Sequence, residues 1–162
     1  MRNIKKVCVI GLGSMGFGIA SSLIKNGHDV YGLDKDKKHI DRLQKAGGKN
    51  EEISKVCKIV NVVVIVVLNS LQTEEILFGK NGIVEKLNKE TLIIVCTTVS
   101  PEFAREMAEK CKQYHMHYLD APMSGGSVKS ENGQLSYMVS GSKEALQKAQ
   151  PILEATAEKV FE

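Results

Sequence analysis

Ile4-Lys5-Lys6-Val7-Cys8-Val9-Ile10-Gly11-Leu12-Gly13-Ser14-Met15-Gly16 decides how the rest of the chain is read. The β-branched, apolar run from Ile4 to Ile10 stops at a glycine, as a strand buried on both faces does. Ser14 to Asn26 follows with Met15, Ile19, Leu23 and Ile24 at helical spacing, and Gly27 stands as the stop. The three glycines between strand and helix have separate tasks. Gly11 permits the tight turn, Gly13 lets a diphosphate approach the backbone, and Gly16 lets the helix close on the sheet. Free N–H groups and the positive helix end at Ser14 suit phosphate. A second strand, Asp29 to Leu33, ends at an acid, Asp34, eighteen residues past Gly16. That lies near the ~20 expected of a carboxylate that holds a ribose.

Outward from this unit, strands and helices alternate. Lys37 to Ala46 is an amphipathic helix closed by Gly47 and Gly48, and Glu51 to Cys57 is a short helix. Ile59 to Leu68 is the strongest strand, broken only by Asn61. A helix from Ser70 to Leu77, a turn at Asn81-Gly82 and a short helix to Leu87 lead to the strand Thr91 to Cys96. Pro101 to Lys112 is a helix with Ser100 as N-cap and Pro101 in the first position. Met116 to Leu119 is a strand, Asp120 to Gly126 a loop, Leu135 to Val139 a strand, and Lys143 to Ala157 a helix. Lys159 to Phe161 opens one more strand. This order predicts a single α/β domain over residues 1–162, with a Rossmann-type, doubly wound and mainly parallel sheet.

Composition removes other classes. With 43% apolar and 25% charged residues, the chain supports a packed core rather than a disordered or disulfide-stapled one. A net charge of +3 with scattered lysines gives no nucleic-acid footprint, and 5% aromatics without Trp offer no base-stacking platform. The longest apolar run, Val62 to Leu68, is far short of the ~20 residues of a membrane span. Arg2, Lys5 and Lys6 precede an apolar stretch that breaks into glycines, which argues against a leader peptide. Cys8, Cys57, Cys96 and Cys111 lack metal or redox spacing and read as reduced thiols of a cytoplasmic protein.

The glycine loop fits NAD, NADP or FAD alike. Asp34 favours NAD, because a carboxylate accepts from both ribose hydroxyls and repels a 2′-phosphate, although Lys35 beside it tolerates one. A second constellation, Asp120-Ala-Pro-Met-Ser-Gly-Gly126, follows a strand's carboxyl end, where open α/β sheets bind ligands. Its Ser124, Gly125 and Gly126 read either as an anion-binding nest or as an ordinary Pro/Gly turn. His115 and His117 lack a supporting carboxylate or thiol, so no metal site is read there.

Taken together, Gly11 to Gly16, Gly79-Lys-Asn-Gly-Ile83, Cys96-Thr-Thr-Val-Ser-Pro101, Asp120 to Gly126, Gly133-Gln-Leu135 and Val139-Ser-Gly141 resemble the 3-hydroxyisobutyrate (β-hydroxyacid) dehydrogenase family across essentially the whole chain. Leu68 to Gln72 and Ser124 to Lys129 look most like the L-threonate branch, with tartronate semialdehyde reductases and 3-hydroxyisobutyrate dehydrogenases as near neighbours. The resemblance implies that Gly11, Leu12, Gly13, Ser14, Met15 and Gly16 hold the dinucleotide's diphosphate and Asp34 its ribose. It implies that Leu68 and Asn69 line the cofactor, Asn69 standing where many members have proline, and that Thr98 reaches the nicotinamide side. Ser124, Gly125 and Gly126 would bind the carboxylate of a small hydroxyacid.

It also implies a catalytic lysine, followed four residues later by an asparagine, on a helix beyond Glu162. An all-helical second domain would usually make a homo-oligomer. Neither Lys143 nor Lys148 fills that role, so the chain on its own is expected to bind dinucleotide and turn over little. Its C-terminal surface is expected to expose an apolar patch. A non-catalytic dinucleotide-binding module is the competing reading.

Overall fold

A computed structural model describes residues 3–162; Arg2, the first basic residue ahead of the opening strand, lies outside them. The main sheet has six strands in the order β2-β1-β3-β4-β5-β8. These are β1 (Lys6–Ile10), β2 (Asp29–Leu33), β3 (Val62–Ile65), β4 (Leu92–Val95), β5 (His117–Asp120) and β8 (Ser140–Gly141). The first five run parallel, and β8 pairs antiparallel with β5 at Leu119–Gly141 and Asp120–Ser140. The expected doubly wound sheet is present, with one antiparallel edge.

The continuous apolar runs are explained by what lies on each face. Val7, Val9, Val62, Val64, Leu92 and Ile94 point into one core with Ile19, Ala20 and Leu23 of α1 (Ser14–Lys25) and Leu43 of α2 (Lys37–Lys45). Ala145, Ala149 and Ile152 of α7 (Lys143–Thr156) complete that layer. The alternate residues Cys8, Ile10, Val63, Ile65, Ile93 and Val95 face a second core. That core contains Val56 and Cys57 of α3 (Ile53–Cys57), Leu77 of α4 (Ser70–Phe78), and Met107 and Cys111 of α5 (Pro101–Gln113). A strand covered on both sides has no solvent face to mark with polar residues.

Three details depart from the expected elements. The β3 ladder is shorter than Ile59 to Leu68: Ile59 and Val60 close the turn after α3, and Leu68 leaves the sheet 86% exposed. Part of the segment read as a loop is regular. Met123–Ser124 forms β6, pairing antiparallel with β7 (Leu135–Met138), and Gly126–Glu131 forms the helix α6. The last strand, β9 (Ala157–Phe161), pairs parallel with β7 in a separate sheet of order β6-β7-β9. Val160 and Phe161 are exposed along it, the apolar surface expected there.

All four cysteines are buried and free, and burial pushes the Cys96 and Cys111 thiols up to about 12. No helix among the described residues is long and apolar enough to cross a membrane.

Candidate functional site

Because β1 to β5 are parallel, the segments that follow them leave from one edge of the sheet. This brings the glycine loop, Asp34, Leu68-Asn69, Thr98 and Ser124–Gly126 to the same edge.

Gly11 adopts φ +93°, and a Cβ there would press into the backbone carbonyl of Val66. A Cβ on Gly16 would strike the Gly11 carbonyl, so these two glycines are required by the fold itself. Gly13 differs: nothing lies within 4 Å of where its Cβ would sit. Gly13 caps α1 without a side chain, and the first turn carries no acid, so no side chain at the helix start meets the leading N–H groups.

Asp34 is anchored on both oxygens. The Leu12 N–H donates to its Oδ2 (2.7 Å) and the Asp36 N–H to its Oδ1 (2.8 Å). His39 Nδ1 stands 3.2 Å from Oδ2, a close approach rather than an aligned hydrogen bond, since that nitrogen has no hydrogen-bond partner. Burial pushes the Asp34 carboxyl upward, but the Asp36 and Leu12 donors and His39 outweigh it and hold it below the usual carboxylate range. A carboxylate accepts about four hydrogen bonds, so two anchors leave capacity for a pair of hydroxyls. Its side chain is 15% exposed, enough to be reached. Sequence reading found Asp34 but not the anchors; Asp36 and His39, two and five residues on, were the available signal.

Leu68 and Asn69 sit where β3 leaves the sheet. The Leu68 N–H donates to Gln72 Oε1 (3.0 Å), and Asn69 Oδ1 caps α4 by accepting from the Gln72 N–H (2.9 Å). Asn69 is thus engaged in holding its own turn, with its amide nitrogen left over. Thr97 and Thr98 separate cleanly. Thr97 is buried and its hydroxyl bonds to the Val67 backbone, whereas Thr98 is exposed.

Ser124, Gly125 and Gly126 are all exposed, the glycines at φ +139° and +77°. Just upstream, Asp120 Oδ1 is buried without a partner, and burial pushes that carboxyl up. His117, by contrast, is engaged with Glu90 Oε2 at 2.7 Å. A groove of about 600 Å³ runs between α7 and β9 past Leu146, Leu153 and Val160. None of the glycine-loop residues lines it.

Sheet order, glycine turn and anchored acid together define a Rossmann-type domain for a nicotinamide dinucleotide. Residues 6–162 match the family described as the NAD binding domain of 6-phosphogluconate dehydrogenase, and the chain belongs to that family, which the hydroxyacid dehydrogenases of the 3-hydroxyisobutyrate type share. The chain is 40% identical over 157 residues to the L-threonate dehydrogenase of Haemophilus influenzae, covering 96% of this chain and 52% of that protein. It is 31% identical to the crystal structure of 3-hydroxyisobutyrate dehydrogenase from Salmonella typhimurium, with a TM-score of 0.92 over 97% of this chain and 55% of that one. A structure described as Psf3 in complex with NADP+ and 2-OPP is 25% identical, with a TM-score of 0.90 over 96% of this chain and 55% of that one. The chain spans about half the length of the curated relatives it matches.

Proposed function

We propose that this chain is the NAD-binding part of a cytoplasmic hydroxyacid dehydrogenase whose substrate is an L-threonate-like sugar acid. The observation that carries the proposal is Asp34, fixed by two backbone donors beside an uncapped helix whose nearest glycine has empty space in front of it. Gly11 to Gly16 would hold the diphosphate through the Ser14, Met15 and Gly16 N–H groups, and Asp34 would accept from both hydroxyls of the adenosine ribose. A 2′-phosphate would meet a charged carboxylate, which favours NAD over NADP.

When bound, the nicotinamide ring supplies the hydride acceptor for oxidation of a secondary hydroxyl beside a carboxylate. Leu68 and Asn69 would line the cofactor, and Thr98 would reach its nicotinamide side. Ser124, Gly125 and Gly126 would hold the substrate carboxylate through a hydroxyl and successive N–H groups. The proton leaving the hydroxyl needs a base, worth roughly 10²–10⁴-fold in rate. We assign that base to a lysine of the longer protein's helical domain, together with homo-oligomer formation. The chain alone therefore binds dinucleotide and turns over L-threonate far more slowly than the full-length relatives.

The test is thermal unfolding with NAD and with NADP at equal concentration. A ligand at about 100 times its Kd stabilises the native state by ~2.7 kcal/mol, so NAD should raise the Tm more than NADP does. No shift with either sinks the proposal, and a larger shift with NADP reverses the cofactor assignment.

A further inference from the structure

Four residues of α1, Met15, Gly18, Ser22 and Lys25, recur at spacings of three and four and so share one face of the helix. The segment from Gly126 to Gly133 lies against that face. Ser130 is wholly buried there, and its hydroxyl donates to the Met15 carbonyl at 2.7 Å. Gly18 makes the approach feasible, because a Cβ on it would lie 2.6 Å from the Ser130 Cβ. Next along, the Glu131 carbonyl accepts from Lys25 Nζ (3.2 Å), while its carboxylate pairs with Arg42 of α2 at 3.2 Å. That guanidinium rests on the Phe17 ring, 3.6 Å from its centre. At the far end, a Cβ on Gly133 would crowd Ser22 Oγ (2.8 Å), whose hydroxyl already bonds to the Ala155 carbonyl.

The consequence is mechanical. Met15 lies in the turn that offers donors to a diphosphate, and Ser130 lies one turn after the exposed, left-handed Gly125-Gly126 pair. The solvent-facing half of α6 contributes little to holding it, since Val128 is 71% exposed. We infer that Ser130 is a positioning residue that fastens the loop after β5 to the first turn of α1, so that filling the phosphate turn is felt at Ser124–Gly126. This rests on the reading of Ser14 to Gly16 as the phosphate contact.

Hydrogen–deuterium exchange of the chain with and without NAD separates the two claims. The uncapped amides of Ser14 to Gly16 should slow on binding, and so should those of Gly126 to Glu131. In Ser130→Ala the first response stays and the second falls by about 2- to 30-fold, the size of coupling changes carried by single side chains. Gly18→Ala pushes α6 away from the opposite side and should give the same split; should it not fold, Ser130→Ala decides alone. Equal α6 protection in wild type and Ser130→Ala overturns the inference, as does an α6 that ignores NAD while α1 responds. Silence at Ser14 to Gly16 overturns the cofactor reading, and the inference with it.

Discussion

The loops after β1 and β5 are both glycine-rich and both open a helix, yet they are built on opposite terms. After β1, Gly11 and Gly16 are locked by the chain's own backbone, and Asp34 beside them has a backbone donor on each oxygen. After β5, Gly125 and Gly126 are exposed, and the nearby Asp120 has a buried oxygen that no donor meets. One edge carboxylate is held down and the other pushed up. The first loop is thus fixed by the chain's own bonds, whereas the second leaves a buried oxygen without a donor.

The largest effect should come from glycines that the fold itself needs. Gly11→Ala meets both a left-handed backbone and the Val66 carbonyl, and should cost about 3 kcal/mol or more in urea unfolding. Gly13→Ala meets nothing inside the protein, so its stability should change by less than about 1 kcal/mol while calorimetric NAD affinity drops at least tenfold. Similar unfolding costs for the two would erase the distinction between structural and ligand-facing glycines.

Asp34→Ala comes next. Losing hydrogen bonds to a charged acceptor of about 1.5–3 kcal/mol weakens NAD by roughly 10- to 150-fold, and NADP by less. Equal losses would move the ribose contact elsewhere. Gly126→Ala, with open space around its Cβ but φ +77°, should cost about 1–2 kcal/mol and leave NAD affinity unchanged.

The smallest effects are in pH, and they have opposite signs. A depressed native carboxyl binds fewer protons than its unfolded form, so Asp34 stabilises above its unfolded value near 3.8 and loses that as pH falls through its native value. A raised one does the reverse, so ionised Asp120 destabilises the fold once pH has risen through its native value. Urea midpoints at pH 7 should therefore fall for Asp34→Asn and rise for Asp120→Asn. Midpoints moving the same way would mean that the two environments are alike.

Most of the sheet was legible because β1, β3 and β4 are apolar on both faces; β1 stops at Gly11, whereas the apolar run continues past β3 through Val66, Val67 and Leu68, which is why that strand reads too long in the sequence. Ser100 and Gly27 marked helix ends by chemistry that acts locally, and both lie where expected. What escaped was held by distant partners. Gly126-Ser-Val-Lys-Ser-Glu131 begins with glycine, has one aliphatic residue and lacks an apolar stripe, so nothing in it announces a helix; Gly18 and Met15, more than a hundred residues earlier, secure it. Strands β6 and β8 have two residues each, too short for any alternation to show. At the site, Asp34 was found from its spacing, but its tie to Leu12 joins residues far apart in sequence.

That tie bears on any attempt to retune the domain. Since the Leu12 amide ends on the Asp34 carboxylate, deleting the acid to welcome a bulkier adenosine would also untether the backbone beneath the diphosphate. A sound redesign begins with asparagine, whose remaining oxygen keeps the tether while the charge is removed, and only then adds a cation from the neighbouring helix.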